Sequence, residues 1–193
     1  AKGDKLEAWV QKHIKTQDIE KLKLPFAAVA TDLNWGYKVV LDRGSVAKAV
    51  RASSAIPGVF QPVAHQGKIL VDGGVVDNIP ISVARAKGAD LVIAVDISAN
   101  LGNPNITNLL GVSLQATNIM FALNVERSKK DADVLIAPQG IGDVGTLDFT
   151  QKKRCMVAGM QAGQQAVPAI RKAIQAWTAA RVAAAAPAPA PTR

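Results

Sequence analysis

The spacing of apolar residues changes several times along the chain, and each change marks an element. Over residues 4–16, Leu6, Trp9, Val10 and Ile14 recur on one helical face, which predicts an amphipathic helix with Asp4 placed to cap it. Two extended runs follow at residues 26–31 and 37–41, and Asn34-Trp35-Gly36 between them reads as a hairpin connection. Residues 45–54 return to helical spacing, with Ser45 as the cap and Pro57-Gly58 as the stop. A second hairpin is expected where residues 62–64 and 68–71 flank His65-Gln66-Gly67; its second strand runs straight into Asp72-Gly73-Gly74.

Pro80 suits a helix start and opens a helix over residues 81–87, closed by Gly88-Ala89-Asp90. The run Leu91-Val92-Ile93-Ala94-Val95 then reads as a buried strand. This strand–loop–helix–strand order is the signature of an α/β chain with a mainly parallel sheet. A long helix is expected over residues 105–130, a strand over 134–137, and a loop around Gly140, Gly142 and Gly145. A last helix follows over residues 150–180, broken at Pro168. Residues 1–182 thus read as one domain. Residues 183–193, alternating Ala and Pro, read as a disordered tail.

Composition narrows the function classes. Lys and Arg exceed Asp and Glu by 23 to 15, which raises the question of nucleic acid or an anionic membrane. The basic residues are scattered, and the densest cluster is Lys152-Lys153-Arg154. Aromatic residues are few and do not interleave with them, so no stacking platform for nucleic acid is visible. A mildly basic surface would still help a protein approach anionic headgroups. Cys155 is the single cysteine; it can form no internal disulfide and reads as a small apolar helix residue. One cysteine and two separated histidines make no standard zinc site. No dinucleotide or phosphate-loop glycine fingerprint is present, so no cofactor is expected.

Asp72 is placed as a catalytic group should be, at the carboxyl end of an apolar strand. Gly73 and Gly74 remove side chains beside it, which admits a close backbone or substrate and permits positive φ. Local spacing equally fits a plain Asp-Gly-Gly turn. Asp32 and Asp96 also end apolar strands and could border the same cleft, and Asp77 reads as a cap before Pro80. Ser53 and Ser54 fall near the Pro57-Gly58 break, where such hydroxyls usually bond locally to backbone. Arg51 is expected to pair with a carboxylate. His13 and His65 read as exposed histidines.

Three ordered segments carry a resemblance: Val29-Ala30-Thr31-Asp32-Leu33, residues 49–60 with Arg51-Ala52-Ser53-Ser54-Ala55-Ile56-Pro57-Gly58, and residues 71–80 with Asp72-Gly73-Gly74 and Asn78-Ile79-Pro80. Together they resemble bacterial patatin-like phospholipases. Residues 89–96 and, more loosely, 132–138 extend the likeness, which runs from about residue 6 to 173. The resemblance implies a three-layer sandwich and a Ser–Asp dyad that hydrolyses acyl-lipid esters through an acyl-enzyme. In the family the serine lies in a G-x-S-x-G elbow, and its aspartate in D-G-G or D-G-A is carried here by Asp72. The partner implied is an acyl lipid or phospholipid, and a membrane surface is compatible with it. No nucleic acid is implied.

The chain departs from that pattern in two respects: it contains no G-x-S-x-G, and no glycine-rich oxyanion loop precedes the motifs found here. The nearest imitation, Gly111-Val112-Ser113-Leu114-Gln115, lacks the second glycine and falls inside a helical pattern. The resemblance puts the serine elbow and the first strands upstream of this chain. The chain alone is then expected to be inactive, to expose apolar surface, and to be less stable than a whole domain or to associate. The alternative is a non-catalytic α/β module that binds lipid or protein. A cytoplasmic location is expected, or a membrane-associated or exported one if an upstream segment carries a signal. Oligomeric state is left open.

Overall fold

A computed structural model describes residues 3–98, 101, 106–145 and 148–185. The first helix, α1 (Asp4–His13), is shorter than its apolar pattern. It starts from Gly3 at φ 72°, so Asp4 lies in the first turn rather than at the cap. The two hairpins form as expected. Strands β1 (Ala28–Asp32) and β2 (Lys38–Leu41) pair antiparallel, and so do β3 (Val63–His65) and β4 (Lys68–Asp72). Gln66 and Gly67 both take positive φ at the second turn, the geometry that matches the twist of a tight hairpin.

Between the hairpins lies α2 (Val46–Ser53), capped by the Ser45 hydroxyl, which accepts from the Lys48 amide. β1 and β4 also pair antiparallel, with Ala30 opposite Asp72, Thr31 opposite Val71 and Asp32 opposite Leu70. The sheet order is therefore β2-β1-β4-β3. Helices α1 and α2 bury Val10, Ala47, Ala49 and Ala52 with Ala28, Ala30, Leu41 and Leu70 of the sheet. Small alanines on α2 let it lie close. Arg51 of α2 reaches back to Asp4 at 3.0 Å and Glu7 at 2.8 Å, which names the carboxylates it pairs with.

A short helix α3 (Gly74–Asp77) follows β4, and α4 (Ile81–Ala86) follows Pro80. Strand β5 (Ile93–Val95) pairs in parallel with β6 (Val134–Ile136) across α5 (Leu109–Ser128). Ile79, Ile81, Val92, Ala94 and Val125 form a second core between α4, β5 and α5. The last helix, α6 (Lys152–Ala185), packs on β6.

The α/β class holds, with open sheets. The balance of pairing does not follow the expected mainly parallel sheet. Among the described residues the four-stranded sheet is wholly antiparallel, and only β5 and β6 pair in parallel. Both ladder edges of β4 are taken by its hairpin partner β3 and by β1, so α4 does not return the chain to the same sheet. The crossover unit is β5–α5–β6, in which the longer helix supplies the span a parallel pair needs. Pro168 also does not break the last helix, which runs through it. Pro168 and Gln164 lie on the exposed side, where water can satisfy the carbonyl that proline leaves without a donor. The helix extends into the segment expected to be disordered, as far as Ala185; the rest of that tail lies outside the described residues. No helix among the described residues is long and apolar enough to cross a membrane.

Candidate active site

The three segments singled out in the sequence meet at Asp72. Its backbone amide donates to the Ala55 carbonyl at 3.0 Å, in the loop after α2. Its carbonyl accepts from the Thr31 hydroxyl on β1 at 2.8 Å. Both peptide groups flanking the side chain are thus fixed by the other two segments. The carboxylate sits where β4 ends. One oxygen, Oδ1, accepts from the Gly74 amide at 2.8 Å. The other, Oδ2, makes no hydrogen bond among the described residues. Burial raises the Asp72 carboxyl above the ordinary carboxylate range, and the Gly74 N–H pulls in the opposite direction.

The two glycines answer to different constraints. A Cβ at Gly73 would lie 2.2 Å from the Val29 carbonyl oxygen and 2.6 Å from its carbon. Only hydrogen lets β1 approach the turn so closely. A Cβ at Gly74 would meet Asn78 Oδ1 at 2.7 Å and the Phe121 ring at 2.8 Å. Close approach is the reason at both positions. Positive φ is not, since Gly73 lies at φ −68° and Gly74 is absent from the left-handed residues.

Asp72, Gly73 and Gly74 line a cleft of about 310 Å³ together with Phe26, Val29, Val50, Ser53, Ser54, Asn78 and Pro80. The hydroxyls of Ser53 and Ser54, expected to bond locally, make no hydrogen bond among the described residues and line this cleft instead. They stand at the last turn of α2, whose backbone is already satisfied through the Ser54 amide to the Val50 carbonyl.

The rival carboxylates have other work. Asp32 is buried to 1% exposure; it accepts from the Asn34 amide at 3.0 Å and lies 3.5 Å from Lys68 Nζ, so it organises the first hairpin. Asp96 accepts from the amide and hydroxyl of Ser98, away from the Asp72 cleft. Asp77 is not a cap. It borders the cleft and pairs with Lys38 Nζ at 2.9 Å, and the same ammonium donates to the Ser82 hydroxyl at 2.9 Å. Ser113 donates to the Leu109 carbonyl within α5. His13 is exposed and stacks on Trp9, and His65 is half-buried in β3.

Sequence reasoning missed the groups that hold the turn from behind. Asn124 on α5 donates through Nδ2 to the carbonyls of Gly74 and Val75 at 3.1 and 2.8 Å. Phe121, one turn earlier, closes on Gly74. The signal was an asparagine three residues beyond a phenylalanine in an apolar helical run, where an amide needs a partner.

Residues 1–85 match the family model described as patatin-like phospholipase. The match ends within α4 and so contains all three motif segments. An uncharacterized NTE family protein of Mycobacterium tuberculosis is 39% identical over 120 residues, which is 58% of this chain and 33% of that protein. Lysophospholipase NTE1 of Debaryomyces hansenii is 24% identical over 183 residues, 82% of this chain and 12% of that protein. Lysophospholipase NTE1 of Mycosarcoma maydis is 35% identical over 97 residues. The chain spans about a third of the length of the mycobacterial relatives it matches. Residues 1–85, in which the β1, α2 and Asp72-Gly73-Gly74 segments assemble around one cleft, are similar to the patatin-like phospholipase family.

Proposed function

We propose that the chain carries the acid–base half of a serine-dependent lipid acyl-ester hydrolase of phospholipase A or esterase type, with Asp72 as the base. The observation that carries this reading is the Asp72 carboxylate: half-buried, with one oxygen tied to the Gly74 amide and the other free toward a cleft. A free carboxylate, at pKa about 3.9, is a weak base toward an alcohol. Burial raises its proton affinity, and the Gly74 bond fixes which oxygen acts. The serine oxygen attacks the ester carbon as its proton passes to Asp72. That proton then leaves with the alcohol, and water hydrolyses the acyl-enzyme. The family resemblance assigns the serine to a G-x-S-x-G elbow. Ser53 and Ser54 serve as cleft wall.

The alternative reading is a non-catalytic module of the same scaffold that binds lipid or protein without turnover. Hydrolysis of a p-nitrophenyl ester by the full-length gene product separates the two. Under the first reading Asp72→Asn abolishes turnover while Ser53→Ala and Ser54→Ala retain it. Equal hydrolysis by wild type and Asp72→Asn would exclude Asp72 as the base, and no hydrolysis by any form supports binding alone.

A further inference from the structure

The start of α6 presents an apolar face that the described part of the fold leaves open. Met156, Val157 and Met160 stand on one side of the helix at 66%, 52% and 64% exposure, and Phe149 in the preceding 3₁₀ turn is 77% exposed. Exposed apolar side chains grouped in this way mark a contact surface. Charge selects the partner. Lys152 and Lys153 flank the apolar group, and neither has an ion-pair or hydrogen-bond partner among the described residues. The neighbouring Arg154 is held by Asp143 through bonds of 2.8 and 2.6 Å, so that pair cancels. The Asp148 carboxylate is engaged by the amide and hydroxyl of Thr150 and leaves one negative charge against the two lysines.

We propose that this face docks the chain onto an anionic lipid surface, with the four apolar side chains entering the headgroup region and Lys152 and Lys153 meeting lipid phosphates. The opposite side of the same turns supports the assignment. Cys155 and Gly159 line an apolar cavity of about 480 Å³ whose far wall includes Phe121 and Asn78. Those are the side chains packed against Gly74 beside the candidate base. Lipid held at this face would thus lie one helix away from a cavity that abuts the Asp72 turn. The choice of lipid as partner rests on the acyl-lipid reading above. Binding is scored without turnover, so the two can fail separately.

The test is co-sedimentation of the full chain with vesicles of phosphatidylcholine alone and of equal parts phosphatidylcholine and phosphatidylglycerol. Binding is expected to the anionic vesicles and to weaken with salt. Lys152→Gln with Lys153→Gln should weaken it about thirtyfold, at roughly fivefold per lysine. Phe149→Ser with Met160→Ser should remove what survives high salt. Both variants alter exposed side chains, and unchanged circular dichroism checks the fold. Asp72→Asn should bind as wild type does, whatever its hydrolysis. Equal binding by wild type and both variants overturns the proposal. So does a wild-type oligomer that both variants dissociate in gel filtration without any vesicle binding, because the face is then a contact between copies of this chain.

Discussion

Replacing Gly73 by alanine tests the architecture of the site more directly than replacing Asp72 does. The backbone at Gly73, φ −68° and ψ −25°, is ordinary helical territory that alanine adopts freely. Backbone strain therefore plays no part, and alanine even gains up to about 1 kcal/mol over glycine there. What opposes it is the Val29 carbonyl, 2.2 Å from the new methyl, about 1.2 Å short of the 3.4 Å at which ordinary contact begins. Neither side can yield cheaply. Val29 lies in β1, which is paired on one edge with β2 and on the other with β4. Gly73 follows Asp72, whose amide and carbonyl are both hydrogen-bonded.

Overpacking costs typically 1–3 kcal/mol, and a clash between two fixed backbones falls at the upper end. A net loss of about 2–3 kcal/mol is expected. Urea titration of the 193-residue chain followed by circular dichroism measures it. Gly159→Ala, on α6 with nothing within 4 Å of the added methyl, is the control and should stabilise by about 0.5–1 kcal/mol. A Gly73→Ala protein within about 0.5 kcal/mol of wild type would refute the claim that the β1 approach is rigid.

Three further outcomes follow from the same contacts. The folded Asp72 carboxyl is raised by burial, so its contribution to stability is complete below the unfolded value of about 3.9 and falls as pH rises through the folded value. Asp72→Asn keeps an acceptor for the Gly74 amide and cannot ionise; it should melt above wild type at pH 7, and the gap should close toward pH ~4. A gap that widens on acidification would contradict this. Asn124→Ala leaves the Gly74 and Val75 carbonyls without their donor and should cost about 1–2 kcal/mol, with faster hydrogen exchange at residues 74–77. Lys38→Ala leaves the largely buried Asp77 carboxylate without its cation; about 1–2 kcal/mol is expected, the lysine being partly exposed, and Ser82→Ala should cost less.

Local chemistry made much of this legible. The Ser45 cap and the two-residue turn at Gln66-Gly67 depend on residues adjacent in sequence, and both formed as their patterns required. Pairing between strands was less legible, because it depends on which edges are already taken. Residues 68–95 carried a strand–helix–strand pattern, yet β4 had no free edge to give β5 once β1 had joined it. At the site, Asp72 could be chosen because it ends a strand inside a recognisable set of segments. Asn124 and Phe121 could not. They reach Gly74 from fifty and forty-seven residues away, and no spacing rule connects a helix residue to a turn that distant.

The pattern Asp72-Gly73-Gly74 looks like one requirement in sequence and is two in space. Gly73 faces a main-chain carbonyl in a doubly paired strand, so any side chain must displace the sheet. The nearest atoms to a methyl at Gly74 belong to side chains, those of Asn78 and Phe121, which can turn aside at the expense of their own packing. The second position should therefore be far less tolerant than the third, in accord with the D-G-A form that patatin-like proteins also use. Gly74→Ala should cost about 1–2 kcal/mol against the larger loss at Gly73, and it should disturb the wall toward the apolar cavity rather than the β1 ladder. The converse order, with Gly74→Ala the more damaging, would mean that α5 rather than β1 sets the position of Asp72.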